Sequence, residues 1–254
     1  MKKRILLSLF PALFFASKIP AHAQIVNVAD APKDKLVVAA LGGFRTDRLR
    51  GNELVTDTSP VVPIIGLTAV GRLPDVNFIP FIKATNWAAS FSGDLSGLDG
   101  DAISSDRYTA DVSLIAPTNE FFAFSIGYRF ERATDEARES VINELQAARS
   151  SFNSARFGVS GNIPLFPSND LTRFVGSVHF AVGRQNISVS SALGDAFSDS
   201  SVFFGPEISA GFIRDFGSIS AELRYRATLH STNIEFGDDT QTSNTLSLSI
   251  GYKF

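Results

Sequence analysis

The feature that most restricts this chain is a strict two-residue alternation sustained over long runs. Phe122, Phe124, Ile126, Tyr128 and Phe130 share one face, while Ala123, Ser125, Gly127 and Arg129 share the other. Near the end, Leu246, Leu248, Ile250, Tyr252 and Phe254 oppose Thr245, Ser247, Ser249, Gly251 and Lys253. Ile219, Ala221, Leu223, Tyr225, Ala227 and Leu229 alternate in the same way with Ser220, Glu222, Arg224, Arg226, Thr228 and His230. A period of two is the signature of a β-strand with two unlike faces.

Strand length separates a soluble sheet from a membrane one. Soluble strands average about five or six residues, whereas a strand that crosses a bilayer needs about 9–11. The runs here are of the longer kind, with aromatic ends on the apolar face and small or charged residues on the other. The pattern predicts an all-β chain: a transmembrane antiparallel up-and-down β-barrel, apolar outside and polar within. No apolar run reaches the roughly 18 residues of a membrane helix.

Ten strands are predicted, near 35–47, 60–72, 77–91, 107–116, 120–131, 153–165, 173–185, 201–214, 217–229 and 243–254. The first three alternate poorly, so eight or twelve strands stay open. Pro63 and Pro80 lack a ladder donor and predict bulges or strand ends there. Connectors alternate in length. Short ones are expected near Leu73–Asp75, Pro117–Glu120, Phe166–Thr172 and Asp215–Gly217, and long ones at 48–59, 92–106, 132–152, 186–200 and 230–242. Short turns belong in the periplasm and long loops outside the cell, which puts both termini in the periplasm.

The first residues read as an address. Lys2, Lys3 and Arg4 precede a mainly apolar run from Ile5 to Ala16, and Ala21-His22-Ala23 fits a small-x-small cleavage site. A signal peptide over 1–23 is expected, then a periplasmic segment over 24–34 and a barrel domain over 35–254. Gln24 rather than cysteine follows the cut, which excludes a lipoprotein anchor. Cysteine is absent altogether, which excludes a disulfide scaffold, a thiolate metal site and a cysteine nucleophile. A net charge of −3 gives no reason to expect nucleic acid as a partner.

Leu248-Ser249-Ile250-Gly251-Tyr252-Lys253-Phe254 resembles the terminal signal of bacterial outer-membrane proteins, an alternating strand that ends in an aromatic residue. The mature chain is similar to the small bacterial outer-membrane β-barrel superfamily, the porin-like and OmpA-membrane-domain-like barrels. The resemblance implies a Gram-negative outer membrane and assembly by the barrel-assembly machinery, which would read Leu248, Ile250, Tyr252 and Phe254. It also implies outer-membrane lipid and lipopolysaccharide as surroundings.

An Arg or Lys on the lipid face costs about 2–4 kcal/mol at the midplane. Parity therefore turns Lys83, Asp111, Arg129, Arg156, Glu207, Glu222, Arg224, Arg226 and Lys253 inward, with Glu131 near the outer rim and His179 facing in. A barrel of about eight to ten strands is barely wider than its own side chains. Two readings stay open: ion pairs that plug the lumen, or a narrow, weakly selective pore in which the slight basic excess favours anions.

The long loops offer three weaker signals. Thr134 can cap a helix with Asp135 and Glu136 in its first turn, and Ala137, Val141, Leu145 and Ala148 form a helical stripe. Asp94, Asp99, Asp101, Asp106, Asp195, Asp199, Glu235, Asp238 and Asp239 make acidic loops, read as solvated surface because no calcium-loop spacing is present. His230 near Asp238 and Asp239 invites comparison with omptin proteases, yet Thr228 stands where their motif has aspartate. His230-Ser231 are neighbours on a strand and point apart. The expectation is a non-enzymatic barrel without cofactor or metal: a narrow passive channel or structural barrel. The alternative is a surface adhesin or antigen that acts through its loops on host ligands, and a third, less favoured reading is an outer-membrane hydrolase using His230.

Overall fold

The computed structural model describes residues 36–50, 57–58, 61–73, 87–99, 103–118, 121–137, 145–166, 169–191, 196–234 and 237–254. Its strands are β1 (Leu36–Arg50), β2 (Asp57–Thr58), β3 (Val62–Arg72), β4 (Ala88–Asp99), β5 (Ile103–Pro117), β6 (Phe122–Ala137), β7 (Leu145–Phe166), β8 (Asn169–Ser191), β9 (Ala196–Phe216), β10 (Ile219–Ile234) and β11 (Gly237–Lys253). Apart from the two-residue β2, each long strand pairs antiparallel with the next, and β11 pairs back onto β1 through Val37 and Lys253. The result is a closed ten-stranded up-and-down barrel, without the free edge that an open sheet exposes. Phe254 N donates to Leu36 O at 3.0 Å, so the two ends of the barrel chain meet at one rim, here called the lower rim.

Burial is inverted relative to a soluble protein. Leu248 is 52% exposed and Phe212 is 51%, whereas Glu207 and Glu222 are each 2% exposed. Water would penalise such a surface, and hydrocarbon would not. The outward apolar belt runs from Phe122 to Phe130 on β6, from Phe174 to Val182 on β8 and from Leu246 to Phe254 on β11. Those spans match a bilayer-crossing strand. At the upper edge Tyr128 donates to Asn153 at 2.7 Å and Tyr225 to Asn244 at 2.6 Å, placing a hydroxyl where apolar surface gives way to polar.

Ten strands, their antiparallel order and nine of the ten expected positions agree with the sequence reading. The third strand differs: β4 is Ala88–Asp99, not 77–91. The stretch from Gly93 to Asp99 has loop-like composition, yet Phe91 and Leu95 face outward and Asp94 lines the interior. Consequently β3 and β4 are not joined by a tight turn at Leu73–Asp75; Leu73 N donates to Trp87 O at 2.8 Å across a longer connection. The loop helix is also corrected. Ala137 closes β6, and Leu145 and Ala148 open β7, because pairing of Asp135 with Ala148 extends the ladder where helical spacing had predicted a turn of helix. Among the described residues there is no helix. Pro63 lies at the start of β3, where a missing donor is tolerated. The predicted leader, the 24–34 segment, Pro80, Val141, Asp101, Asp195 and Glu235 lie outside the described residues.

The poor alternation of the early strands has a structural cause. Val37, Ala39, Val70, Ala88, Ile115 and Ala123 form an apolar cluster inside the lower barrel. With Val37 and Val70 turned inward and Leu36, Ile65 and Leu67 turned outward, both faces of β1 and β3 are apolar in places.

Candidate functional site

The interior is built in tiers by strand parity. At the lower end Arg173 on β8 bonds Asp215 on β9, and Lys253 Nζ reaches Asp215 Oδ1 at 2.9 Å from β11. The centre holds a quartet. Arg129 Nε donates to Asp111 Oδ2 at 3.2 Å, and its Nη1 donates to Glu207 Oε1 at 3.0 Å. Arg156 bonds both carboxylates as well. Four strands, β5, β6, β7 and β9, contribute one residue each. Higher up, Arg45 Nη2 donates to Glu131 Oε1 at 2.9 Å and Arg45 Nε to Asp47 Oδ1 at 3.0 Å. Arg107 bonds Asp47 and lies 3.4 Å from Glu131.

Two cavities lie along this interior. One of about 40 Å³ is lined by Thr68, Ser90, Ser92, Ser113, Ser177 and Ser209 together with Asp111, Arg156, His179, Glu207, Arg224 and Arg226. The other, about 50 Å³, is lined by Arg45, Asp94, Arg129, Glu131, Arg226, His230 and the hydroxyls of Thr228, Ser243 and Thr245, among others. Arg226 forms part of both walls. Thr68 Oγ1, Thr109 Oγ1 and Ser160 Oγ are buried without a hydrogen-bond partner among the described residues. Buried groups of that kind are commonly satisfied by ordered water.

Of the residues singled out by sequence, Asp111, Arg129, Arg156 and Glu207 come together at the centre. Glu131 sits in the upper tier, Lys253 in the lower. Glu222 and Arg224 pair with each other. His179 Nε2 lies 2.7 Å from Ser125 Oγ, deep in the barrel. Leu248, Ile250, Tyr252 and Phe254 face outward on the closing strand. Lys83 lies outside the described residues. The sequence reading missed Arg45, Asp47, Arg107, Arg173 and Asp215, and it read Asp94 as solvated loop surface where β4 carries it into the interior. Parity carried the signal for several: Arg107 stands two residues before Thr109 and four before Asp111 on a shared face of β5, and Asp215 shares parity with Glu207 on β9. Which charges meet across the lumen depends on closure, and no single strand encodes that.

His230 Nε2 is 3.6 Å from Glu207 Oε1 and its ring packs on Phe203 at 4.8 Å between centroids. Among the described residues, no three His, Asp or Glu side chains gather as a metal-binding group.

No family model matches the chain, and no curated protein does. Solved structures do. The outer-membrane protease OmpT from Escherichia coli superposes with a TM-score of 0.50 at 10% identity, over 89% of this chain and 98% of its own. The translocator domain of the autotransporter NalP from Neisseria meningitidis gives 0.42 at 12%, over 89% and 91%. Ail, the attachment invasion locus protein of Yersinia pestis, gives 0.37 at 12%, over 88% and 100%. At such identity the likeness is one of fold. The chain has the fold of an outer-membrane β-barrel, and its exposed apolar belt and polar interior suit that membrane.

Proposed function

We propose that this chain is a non-enzymatic barrel of a Gram-negative outer membrane, exported by a cleaved leader, that serves as a narrow hydrated passage for small ions. The observation that carries the reading is the placement of Arg226 in the wall of both interior cavities, beside a quartet that closes the middle. Here hydroxyls line the space above and below a charged constriction. Around the constriction Arg129, Arg156 and Arg226 stand against Asp94, Asp111 and Glu207 and balance, so the anion preference rests on the lower tier, where Arg173 and Lys253 share Asp215.

The test is single-channel recording of the refolded chain in a planar bilayer. Small ohmic steps with a reversal potential on the anion side support the reading. Silence from a barrel shown to be folded overturns it.

A second reading has its own observation. Strands β7, β8 and β9 run 22, 23 and 21 residues, about twice the span a bilayer requires. Above the apolar belt their outward face turns polar at Asn153, Arg184, Asn186 and Ser188. Such a wall standing clear of the membrane suits contact with an external partner. Loss of cell binding on shortening these strands, with conductance kept, would favour that role.

A further inference from the structure

Three arginines stand together on the outside of the barrel. Arg132 on β6, Arg149 on β7 and Arg184 on β8 are exposed and share the outward parity of Phe130, Asn153 and Val182. None takes part in an ion pair or hydrogen bond among the described residues. The register fixes their spacing. Arg132 is level with Ser151 and Asn186, Arg149 with Thr134 and Ser188, and Arg184 with Asn153 and Val202. Arg132 and Arg149 are therefore diagonal neighbours on adjoining strands, about 7–8 Å apart. Arg184 is about 12 Å from Arg132, two strands across and one two-residue step along.

From β6 to β9 no described outward side chain above the belt is a carboxylate. Asp106 on β5 is level with Thr134, and Glu136 pairs with Ala147, so both positions lie further from the belt than Arg132, and neither adjoins Arg184. Positive charge thus prevails next to the belt. Arg132 and Arg184 are the first outward residues above it on their strands. Directly beneath, Phe157, Phe180 and Phe204 run across β7, β8 and β9 with ring centroids 5.6 and 6.4 Å apart.

We propose that this patch binds the headgroup of a phosphorylated lipid of the outer leaflet, whose acyl chains lie on the aromatic row below. A guanidinium grips two phosphate oxygens through parallel donors. Like charges this close on a sheet face repel, and a phosphate between Arg132 and Arg149 removes that cost. The exposed hydroxyls of Ser188, Ser198 and Ser200 on the same face donate to other headgroup oxygens. Position selects the occupant. Cations bordering hydrocarbon keep their stems on apolar surface and their heads among the headgroups, where a lipid phosphate is delivered and held by its chains. The inference rests on the outer-membrane placement of the barrel and not on conduction through it. It goes beyond the external-partner reading, because it gives the foot of that wall to a lipid.

The probe is lipid A bearing two phosphates, titrated against its dephosphorylated form, with the full mature chain folded in detergent micelles and bound lipid counted by native mass spectrometry. Saturable retention of the phosphorylated form alone is expected. Arg132→Gln with Arg149→Gln should weaken it at least about tenfold, the loss of a charge-assisted contact. Arg132→Lys with Arg149→Lys should retain part of it, because charge stays while the fork is lost. Arg214→Gln should leave it unchanged, since Arg214 packs over Phe216 at the opposite end of the wall. Equal retention of the two lipids, or retention that survives the double glutamine replacement, overturns the site. Displacement by an equal concentration of inorganic phosphate would make a free anion the ligand and overturn it too. So would heparin bound through the same arginines with no lipid retained.

Planar-bilayer recording of the same preparations separates this inference from the passage. A silent barrel that retains the lipid through these arginines would leave the site standing and the passage refuted. A conducting barrel that retains none would do the reverse.

Discussion

Arg129 on β6 donates to Glu207 on β9 at 3.0 Å although 78 residues separate them. Two strands lie between β6 and β9 in the wall, so this bond spans the lumen. It ties opposite parts of the barrel together at the level where Arg156 and Asp111 complete the quartet.

Glu207 is 2% exposed, and two arginines depend on it. Glu207→Gln should destabilise the barrel by about 3–5 kcal/mol, because it leaves uncompensated buried charge. Replacing Arg129 as well should recover part of that loss, since the pair is removed together. Denaturant unfolding from lipid vesicles measures both. Equal stability of parent and single variant would mean that the quartet does not hold the centre.

The lipid face can be tested one residue away from an inward charge. Leu223 is 49% exposed on the outside, and Arg224 beside it is buried inside. Leu223→Arg should cost about 2–4 kcal/mol, the penalty for an arginine near the bilayer midplane. A loss within experimental error would place Leu223 off the lipid-facing belt.

Much of this architecture was legible because one physical rule governs it: in a membrane barrel, parity alone assigns a side chain to lipid or lumen. That rule located Arg129, Arg156, Glu207 and Arg224. It failed where residues on the two faces look alike. Val37 and Val70 are inside while Leu36 and Leu67 are outside, so β1 and β3 read as weak strands. It failed again where serine and aspartate filled the interior face of β4 and Gly93 and Gly97 interrupted the outer one. Around Asp94 that composition looks like a loop, yet in a polar lumen it is what an inward face requires. The helical stripe from Ala137 to Ala148 was a spacing only, and ladder pairing took Ala137, Leu145 and Ala148 instead. Long-range partners, such as Arg45 with Glu131, depend on closure of β11 onto β1 and lie beyond any strand-by-strand reading.

Gly205 is a tight point in the wall. A Cβ there would stand 1.8 Å from Leu229 O, beside Pro206, where the β9–β10 ladder is interrupted between Glu207 and Phe204. Gly205→Ala must part the two strands, and the barrel should lose its resistance to unfolding in heated detergent. Gly217 differs: nothing lies near its Cβ position, but its φ is 76°. Gly217→Ala should cost only about 1–2 kcal/mol, the strain of a left-handed turn residue. Heat-dependent gel mobility of the two variants should rank Gly205→Ala as the more damaged. The opposite ranking would contradict the close approach of β9 and β10.

The last prediction concerns what the central bond does for flow. Glu207→Ser with Arg129→Ser removes one charge of each sign and shortens two side chains at the constriction, leaving the net charge there unchanged. If the passage narrows at this level, single-channel conductance should rise severalfold while the reversal potential in a salt gradient stays nearly fixed. Arg226→Gln should do the converse, with little change in conductance and a reversal potential displaced toward cations, because it removes one positive charge and no cross-lumen bond. Double replacement that leaves conductance unaltered in a folded barrel would put the limiting point elsewhere, with the apolar cluster around Val37 and Ile115 at the lower end as the next place to widen.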